Sequence, residues 1–564
     1  MEGGRVPLVA ADGRDVEVGP ASEAGSVGQT ARAAGRCTDG GCSGTGADEK
    51  VHATRSIGEL YDGHRGGLNL EWRDVQCFVS ETKPRGWGLK VLGFEDAIGP
   101  PTKQIIKGAS GFARSGEVLA VMGPSGSGKT TLLNVLAQRP TLGKKGRWQG
   151  ELLLNGGEPW PDWEREMAYV MQKDIFYEEL KVRENLWTTA LLRLPYTWPR
   201  ARKLQCLNKV VQDLGLEKVQ DTKVGSAIER GLSGGEIKRT SIANECLALP
   251  RIFFLDEPLT GLDSSRAVEV MTSLNRLAHE QGTTVMLTIH QPSSALYKCF
   301  DRLLLLGPGG RTAFFGGVEA AVVHFSRVGH PLPPLWTPSD HFIELLAVES
   351  TCAEVCDIWE STETLGALPP CPRPPSLSPM PPLQYQLKAL LPRAFKRVRR
   401  SYLTSLTWKQ HISLSLVWGF IYFNVGAQLP QRLTDLVGAV FFIVAHWSWT
   451  PLFQGLCNFP REKEMLTKEK AAKVYDIKAF FLSQVLAEAP ILNVLPVAFF
   501  AIIWPMAGLS WSVCLQTFLV VAVNIQVCSA LSMCISATCM SEETAIPTAI
   551  VVMVFHMCAG GYFA

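Results

Sequence analysis

A short apolar run leads directly into a glycine-rich segment and then into a helix-forming run at residues 117–139. The apolar run, Val118–Met122, has the length and composition of a buried strand. Residues 123–130 read GPSGSGKT, and residues 131–136 continue as the helical run. A strand, a glycine-rich loop and a helix in this order form a P-loop, in which bare backbone N–H groups and a helix N-terminus bind phosphate. The sequence therefore predicts an α/β nucleotide-binding domain.

The P-loop supplies most of the predicted nucleotide contacts. Lys129 is expected to reach the terminal phosphates, and the hydroxyl of Thr130 is expected to ligate Mg²⁺. A plain glycine-rich turn is the alternative, but the eight-residue match and both flanking segments argue against it. The residues of this loop predicted to contact the nucleotide are Gly123, Pro124, Ser125, Gly126, Ser127, Gly128, Lys129, Thr130 and Thr131.

Charge and composition bear on whether the chain binds nucleic acid, enters a membrane or holds zinc. Lys and Arg number 55 against 53 Asp and Glu in 564 residues, so the charge balance gives no indication of nucleic-acid binding. Hydrophobic residues make up 46% of the chain and are concentrated after about Trp408. The 15 cysteines show no paired zinc-ligand spacing, since no second Cys or His pair accompanies Cys352 and Cys356. Most of these thiols are therefore predicted to act as small apolar residues.

The N-terminal region differs from the rest of the chain. Residues 1–65 consist mainly of Gly, Ala, Ser and charged residues without apolar periodicity. They lack the basic start and apolar core of a signal peptide. A disordered N-terminal tail is predicted for this segment.

A second glycine motif opens a predicted helix at residues 232–236. Ser233 is placed as the N-cap, and Glu236 is placed as its capping-box partner. A capped helix is one reading of this segment, but such a helix does not require the adjacent pair Gly234 and Gly235. Two glycines at a helix start also leave room for a second phosphate.

Two acids follow the next buried strand. Four apolar residues at 252–255 lead to Asp256 and Glu257, which places both carboxylates at the carboxyl edge of the sheet, where ligands bind in open α/β folds. Asp256 is expected to hold Mg²⁺ through water, and Glu257 is expected to polarise the attacking water. Solvated acids at a strand end are the alternative. Pro258 and the segment at 260–263, which ends in Asp263, favour the functional reading.

Three more side chains are candidates for contact with the nucleotide or with Mg²⁺ because of their position in the sequence. Gln172 ends an apolar run, where its amide oxygen can ligate Mg²⁺ and sense the γ-phosphate. His290 ends the strand that follows the acidic one, where it can contact the γ-phosphate, although an isolated histidine is usually structural. Phe78 lies upstream of the P-loop and is a candidate to stack on adenine, with an equal case for a role in the core.

These motifs, in this order, resemble the ATP-binding cassette over about residues 68–345. The resemblance implies ATP and Mg²⁺ as ligands. It also implies catalytic or sensing roles for Glu257, His290 and Gln172, and Mg²⁺ ligation by Thr130, Gln172 and Asp256. The remaining positions match the adenine-stacking loop at Phe78, the signature at Ser233, Gly234, Gly235 and Glu236, and the D-loop at Asp263.

The segments at 289–294 (IHQPSS) and 338–340 (PSD) narrow the resemblance to the G, or White, subfamily. Members of that subfamily place the nucleotide domain before the membrane domain, as this chain does. The family holds ATP between the P-loop of one cassette and the signature of another. A chain with one cassette is therefore expected to dimerise with a second half-transporter, and the sequence leaves open whether the dimer is homomeric or heteromeric.

The chain is divided by its composition into a nucleotide domain at 66–350, a proline-rich linker at 351–382, a connecting helix at 383–408 and a transmembrane domain at 409–564. The connecting segment carries apolar residues at helical spacing, punctuated by Lys and Arg, which suits a cytoplasmic membrane surface. A merely solvated helix is the alternative. Pro392 is expected to kink this helix or to mark its start.

Five apolar runs in the last domain have the length needed to span a bilayer, at 411–430, 436–456, 479–509, 515–537 and 545–564. The predicted loop at 457–478 is rich in Lys and Arg, which places it and the nucleotide domain in the cytoplasm. Glu488 is predicted to be a structural hydrogen-bond hub rather than a substrate ligand. Family members have six spans, so the sequence is expected to be truncated before the last.

The leading hypothesis is an ATP-driven half-transporter that moves a lipid, a sterol or another hydrophobic small molecule across a membrane. A truncated, non-transporting membrane ATPase or partner subunit is the alternative. A soluble cassette ATPase acting on nucleic acid is disfavoured, since that class predicts two cassettes in one chain and no spans. The expected partners are a second half-transporter, the bilayer and a hydrophobic substrate, without nucleic acid.

Overall fold

A computed structural model describes residues 67–80, 102–139, 146–225, 231–362, 366, 368–373, 379–428, 430–539 and 541–559. All of them belong to one compact unit, Arg55–Ala564. The tail predicted at 1–65 lies outside the described residues.

In the first part of the chain, the residues that the structure describes form nine strands in two sheets. The strands are β1 Leu70–Ser80, β2 Thr102–Ala113, β3 Val118–Met122, β4 Arg147–Leu154, β5 Met167–Val170, β6 Ile252–Asp256, β7 Thr284–Thr288, β8 Arg302–Leu306 and β9 Thr312–Gly317.

Among the described residues, nine helices accompany these strands and seven more follow them. The first group is α1 Lys129–Leu136, α2 Val182–Arg193, α3 Arg200–Asp213, α4 Gly234–Cys246, α5 Ser264–Gln281, α6 Ser294–Tyr297, α7 Val318–Arg327, α8 Pro338–Ala347 and α9 Glu349–Thr362. The second group is α10 Leu383–Tyr402, α11 Ser405–Ile421, α12 Leu433–Ala471, α13 Ile477–Leu492, α14 Val494–Met506, α15 Trp511–Cys539 and α16 Glu542–Ala559.

The main sheet has six strands in the order β5-β6-β7-β3-β8-β9. Its first five strands are parallel, and β9 pairs antiparallel with β8. Every residue of β3, β6 and β7 is buried, as expected for parallel strands covered on both faces. Because β6, β7 and β3 are neighbours, their carboxyl ends bring the P-loop, the two acids and the segment before His290 to one edge. The second sheet, β2-β1-β4, is antiparallel.

Helix α9 extends the α/β domain beyond the predicted boundary at residue 350. Its side chains Cys352, Val355, Cys356 and Trp359 are buried in the same core as the main sheet. These positions follow the i, i+3, i+4, i+7 spacing of a helix with one apolar face. Residues 351–362 are therefore a packed helix rather than the start of the linker, and the prolines that follow them obscured this pattern.

The connecting helix α10 ends at Tyr402, six residues before the predicted end. Thr404 then caps α11, since its hydroxyl accepts a hydrogen bond from the Thr407 N–H at 3.2 Å. Pro392 lies inside α10, and the helix is assigned continuously across it. The proline removes a single backbone hydrogen bond, while packing of the buried face holds both halves together.

Three helical stretches among the described residues are long and apolar enough to cross a membrane: Leu433–Cys457, Ile477–Met506 and Trp511–Cys539. They coincide with the second, third and fourth predicted spans. At the first predicted span, α11 has only 17 residues and a 3-10 turn follows at Gly426–Gln428. At the last predicted span, the apolar stretch is the shorter Glu543–Phe555, and residues 560–564 lie outside the described residues.

Helix α12 is much longer than a membrane span. Its 39 residues extend about 58 Å at 1.5 Å per residue, against a hydrocarbon thickness of about 30 Å. The segment predicted as a loop at 457–478 is therefore helical as far as Ala471. Its charged residues indicated a loop from the sequence. In the structure they continue the helix, and Glu462, Glu464, Lys468 and Glu469 have oppositely charged partners in α10 or in the nucleotide domain.

Candidate nucleotide site and its link to the membrane helices

The P-loop has the backbone conformation of a phosphate cradle. Gly123 follows β3 at a φ of 152°, and a Cβ there would lie 2.1 Å from the carbonyl oxygen of Leu306. Gly126 has a φ of 81°, and a Cβ added there would meet nothing within 4 Å. The first glycine is thus required by close packing, while the second leaves open space in which a phosphate oxygen can approach the backbone.

Lys129 folds back onto the loop that contains it. Its Nζ donates hydrogen bonds to the carbonyl oxygens of Gly123 at 2.8 Å and Pro124 at 2.9 Å. Burial lowers the pKa of Lys129, and the nearby carboxylates of Glu257 and Asp256 act in the opposite direction. A phosphate oxygen would offer this buried ammonium a charged acceptor in place of two neutral carbonyls.

The buried hydroxyl of Ser127, inside the same loop, has no hydrogen-bond partner among the described residues. A buried hydroxyl without a partner is costly, and a bound phosphate oxygen would satisfy it. This unsatisfied group, together with the open space at Gly126, fits a phosphate ligand in the P-loop.

Asp256 lies at the end of β6 and is 2% exposed. Its Oδ1 accepts hydrogen bonds from the hydroxyls of Thr130 at 2.9 Å and Thr288 at 2.7 Å. Burial raises the pKa of this carboxyl group, and the two hydroxyls lower it. A hydroxyl and a carboxylate side by side are the hard oxygen donors that Mg²⁺ binds, so Thr130 and Asp256 fit the predicted metal-binding role.

Glu257 and Gln172 meet at the same edge. The Gln172 Nε2 donates to the Glu257 Oε2 at 3.0 Å, and the backbone N–H of Glu257 donates to the Thr288 hydroxyl at 2.9 Å. Glu257 has a φ of 47°, a left-handed conformation that a non-glycine residue adopts at a cost of about 1–3 kcal/mol. The hydrogen bonds from both sides hold this strained backbone with its carboxylate at the strand end.

The predicted signature forms the N-terminus of α4, as the capping pattern indicates. The Glu236 carboxylate accepts from both the N–H and the hydroxyl of Ser233 at 2.8 Å. A Cβ added to Gly234 would meet nothing within 4 Å, whereas at Gly235 it would meet Leu262 at 3.1 Å. The helix start therefore presents an open face at Gly234. Asp263 similarly caps α5 by accepting from the Arg266 N–H at 2.8 Å.

Phe78 and His290 are the two candidate residues with accessible rings. Phe78 is half-buried on β1, and the guanidinium of Arg147 lies 5.2 Å from its ring centroid. His290 is exposed two residues after β7. The structure thus leaves the Phe78 ring outside the buried core of the domain and leaves the His290 ring accessible.

Sequence reasoning missed Lys238, which connects the signature helix to the segment around Gln172. Lys238 is 4% exposed, and its Nζ donates to the carbonyl oxygens of Met171 at 3.2 Å and Gln172 at 3.0 Å. It also pairs with Asp174 at 3.1 Å. A lysine in the first turns of a helix normally indicates a solvated face, so the sequence carried no signal for this contact.

The connecting helix α10 is joined to α12 by two buried ion pairs. Arg393 forms a bidentate pair with Glu469, with distances of 2.6 and 3.0 Å. Arg397 pairs with Glu462 at 2.6 Å, and Glu462 also accepts from the Gln484 amide of α13 at 2.8 Å. These charges therefore join three helices, α10, α12 and α13, in one network.

Glu488 on α13 is buried near this network. Two charges act on it in opposite directions, the carboxylate of Glu462 and the guanidinium of Arg397, and the Ser529 side chain hydrogen-bonds to it. The hydrogen bond from Ser529 and the nearby Arg397 support the structural role predicted for Glu488.

The nucleotide domain contacts both of these helices through its own charges. Glu184 on α2 accepts from Arg400 at 2.6 Å and Lys396 at 3.0 Å, both on α10. Lys468 on α12 lies 3.6 Å from Glu245 of α4, the helix that begins with the signature. A continuous series of contacts therefore connects the signature helix with the long helix that enters the membrane domain.

Burial alone would raise the pKa of Glu184, but hydrogen bonds from Arg400, Lys396 and the Lys181 N–H lower it to about 2. Its ordinary value is 4.5. The ion pairs of Glu184 with Arg400 and Lys396 therefore contribute fully to the stability of the docked helix α10 above about pH 4.5. This contribution is lost as the pH falls toward 2.

We expect the thermal midpoint of a Glu184→Gln variant to depend less on pH between 5 and 3 than that of the wild type. A Glu178→Gln variant, which changes an exposed carboxylate, should retain the wild-type dependence; equal slopes for all three proteins would contradict the assignment.

The fold and the site together define the class: a P-loop ATPase cassette on the same chain as a helical membrane domain, as in ABC transporters. Residues 106–260 match the family described as ABC transporter, and residues 385–564 match the family described as ABC-2 type transporter. A further ABC-2 type transporter family matches residues 290–358.

ABC transporter G family member 22 of Arabidopsis thaliana is 34% identical over 509 residues, which cover 82% of this chain and 67% of that protein. Protein white of Drosophila melanogaster is 33% identical over 537 residues, covering 88% of this chain and 76% of that protein. Among solved structures, a bacterial ABC transporter cassette described as dimeric is 21% identical with a TM-score of 0.35, covering 44% of this chain and 98% of that one.

The chain belongs to the G family of ABC transporters, which includes protein white. Its nucleotide domain precedes its membrane domain, as predicted, and its ATPase activity is coupled to transport across a membrane.

Proposed function

We propose that this chain is one half of a dimeric transporter that uses ATP to move a hydrophobic small molecule across the bilayer. The observation that carries the proposal is the chain of buried charges from the cassette to α12, through Glu245–Lys468 and Arg393–Glu469. Buried ion pairs are held only where their geometry is maintained, so they resist sliding between the elements that they join. Closure of the cassettes on ATP would therefore move α10 and α12 together.

Within the ATP site, the residues of this chain take the roles that their geometry supports. Lys129 and the P-loop N–H groups bind the phosphates, and the Phe78 ring supplies a surface for adenine. Glu257 accepts a proton from the attacking water, while Gln172, hydrogen-bonded to Glu257, reports whether the γ-phosphate is present. Thr130, Asp256 and Gln172 would hold Mg²⁺, which neutralises charge on the phosphates when bound. His290 lies free to contact the γ-phosphate from the neighbouring strand end.

The signature is assigned to the nucleotide of the partner chain. The face at Gly234 is open within one chain, which suits a surface completed by a second cassette. Ser233, Gly234, Gly235 and Glu236 would supply the positive end of the α4 dipole to the partner's γ-phosphate. Asp263, exposed at the start of α5, is placed to contact the partner across the same boundary.

The proposal that each ATP site is shared between two chains can be tested by placing two substitutions either on different chains of the dimer or on the same chain. A Lys129→Met chain is coexpressed with a Gly234→Asp chain, and the mixed dimer is purified through two different tags. One site then carries both substitutions and the other carries neither, so we expect ATPase activity about tenfold or more above that of either single-variant homodimer. The matched control places both substitutions on one chain beside a wild-type partner, which damages both sites and should be inactive. Equal activity in the two arrangements would show that the sites are not shared in this way.

The hydrophobic nature of the cargo is supported by the membrane domain. An interior aromatic group on α11, α12 and α14 includes Trp418, Trp447 and Phe499, with the Trp418 and Phe499 rings 5.8 Å apart. These rings pack against one another in the core of the membrane helices, so a cargo that passes between those helices would meet an apolar, aromatic surface. The test is ATPase stimulation of the reconstituted protein across a panel of sterols, phospholipids and aromatic amphiphiles. Stimulation by hydrophilic solutes alone would exclude a hydrophobic cargo.

A further inference from the structure

A cavity of about 750 Å³ lies between the nucleotide domain and the connecting helix, away from the P-loop. Its walls come from α2 and α3 on one side and from α10 on the other. Four aromatic side chains, Trp187, Tyr196, Trp198 and Tyr385, line it. A cavity of this size accommodates a small organic ligand. Because its walls belong to the nucleotide domain and to α10, its shape depends on the relative position of these two elements.

The cavity is strongly basic. Seven Lys and Arg side chains line it, against two carboxylates, Glu184 and Asp221. Both carboxylates already have cationic partners, since Lys396 lies 3.0 Å from Glu184 and Lys181 lies 3.4 Å from Asp221. A third cation, Arg393, is paired with Glu469 outside the cavity. An excess of positive charge remains on Arg183, Arg200, Lys203 and Lys388.

Arg200 and Lys388 carry part of this excess from opposite walls. Both side chains are exposed, and neither has a carboxylate within ion-pair distance in the part of the chain that the structure describes. Arg200 lies instead over the ring of Trp187, 5.4 Å from its centroid. The two cations are thus available to an anion that enters from solvent.

Lys203, a third cation of this wall, is buried, and no carboxylate of the described residues forms an ion pair with it. It is 1% exposed, and its Nζ donates to the Tyr385 hydroxyl at 2.7 Å and to the carbonyl oxygen of Leu191 at 3.2 Å. Burial lowers its pKa to about 8. Buried charges are normally paired, so a bound anion would stabilise the charged form of Lys203. The Tyr385 hydroxyl accepts from Lys203 and retains its own proton to donate to a ligand.

The start of α3 adds a second independent feature. Its N-cap is Pro199, which supplies no side-chain acceptor, and Trp198 and Arg200 on either side of it line the cavity. The first backbone N–H groups of a helix need acceptors, and the positive end of the helix dipole favours an anionic one.

We propose that this cavity binds a phosphate-bearing anion, with its phosphates on Arg200, Lys203, Lys388 and the start of α3 and its ring or alkyl body against the aromatic side chains. Two sources share this chemistry: the phosphorylated headgroup of an anionic lipid in the cytoplasmic leaflet, and a free phosphorylated metabolite. The ligand would connect α3 with α10 and so favour one position of the connecting helix. Binding itself does not depend on the proposed transport function.

Charge reversal at the two exposed cations tests the site. The full chain carrying Arg200→Glu and Lys388→Glu is placed in phosphatidylcholine nanodiscs, and binding of inositol trisphosphate is titrated without ATP. We expect affinity at least about tenfold below that of the wild type. The matched control, Arg276→Glu with Arg399→Glu, makes the same change in net charge at exposed positions outside the cavity and should bind as the wild type does. Equal losses in both variants, or no saturable binding by the wild type, would overturn the proposal.

A second pair of nanodiscs distinguishes the two sources, with and without a small fraction of phosphatidylinositol bisphosphate. If the lipid supplies the ligand, its presence should raise the thermal midpoint of the wild type and of the control but not that of the cavity variant. If the ligand is a free metabolite, the lipid should leave all three thermal midpoints unchanged. Inositol trisphosphate alone should then raise those of the wild type and of the control but not that of the cavity variant. ATPase activity measured in parallel reports on the transport function separately, so that the two proposals fail independently.

Discussion

A Glu257→Gln variant is expected to bind ATP normally and to hydrolyse it at least about 100-fold more slowly than the wild type, because an amide cannot accept a proton from the attacking water. The substitution keeps the shape of the side chain, and its amide oxygen can still accept the hydrogen bond from the Gln172 Nε2, which is 3.0 Å from the carboxylate in the wild type. The strained backbone at this position should therefore persist. Phosphate release and binding of a fluorescent ATP analogue measure the two properties separately.

The control for this experiment is Glu280→Gln, which removes a carboxylate from an exposed position near the end of α5. It changes the net charge by the same amount and should leave both binding and hydrolysis unchanged. Turnover in the Glu257→Gln protein within about threefold of the wild-type rate would assign the proton transfer to another group. His290 would then be the next candidate, since it ends the adjacent strand.

The sequence predicted the backbone geometry of the P-loop, the capping box and the acidic strand end because each of these motifs acts locally. The glycines of the P-loop, the capping box at Ser233 and the acids after β6 each need only their own neighbours to adopt the right conformation. Parallel strand order then brings their carboxyl ends to a single edge of the sheet. The roles of the individual side chains in catalysis remain predictions, which the arrangement supports.

The features that escaped prediction depend on partners distant in the chain. Lys238 reaches the carbonyls around Gln172, and nothing near it in the sequence signals that contact. The charged end of α12 indicated a loop because its neutralising partners lie on α10 and in the nucleotide domain. Helix α9 has a clear apolar face, but the prolines after residue 368 dominate the composition of that region. Composition thus indicated the order of the domains. The ends of α9 and α12 depend on contacts with residues that are distant in the sequence.

A Glu469→Gln variant is expected to lose roughly 3–5 kcal/mol of stability, because it leaves the Arg393 guanidinium buried without a counter-charge. Both side chains are largely buried, with 7% and 13% exposure for Arg393 and Glu469. A fall in the thermal midpoint of the purified protein measures the loss. The matched control is Glu464→Gln on the same helix, whose partner Lys173 is 74% exposed at a distance of 3.0 Å. That exposed pair should contribute at most about 1 kcal/mol, and equal destabilisation by both substitutions would contradict the distinction.

A double variant that carries Arg393→Met and Glu469→Gln distinguishes the contribution of this ion pair to stability from its contribution to the coupling of ATP hydrolysis to transport. With neither charge left in the interior, most of the lost stability should return, since an apolar side chain can replace a buried ion pair at little cost. The same protein lacks the bidentate link between α10 and α12, so we expect it to hydrolyse ATP at near the wild-type rate while transport per ATP falls several-fold. Full coupling in this stable double variant would show that the pair only holds the helices together and that cassette motion reaches α12 by another route, such as the contact between Lys468 and Glu245.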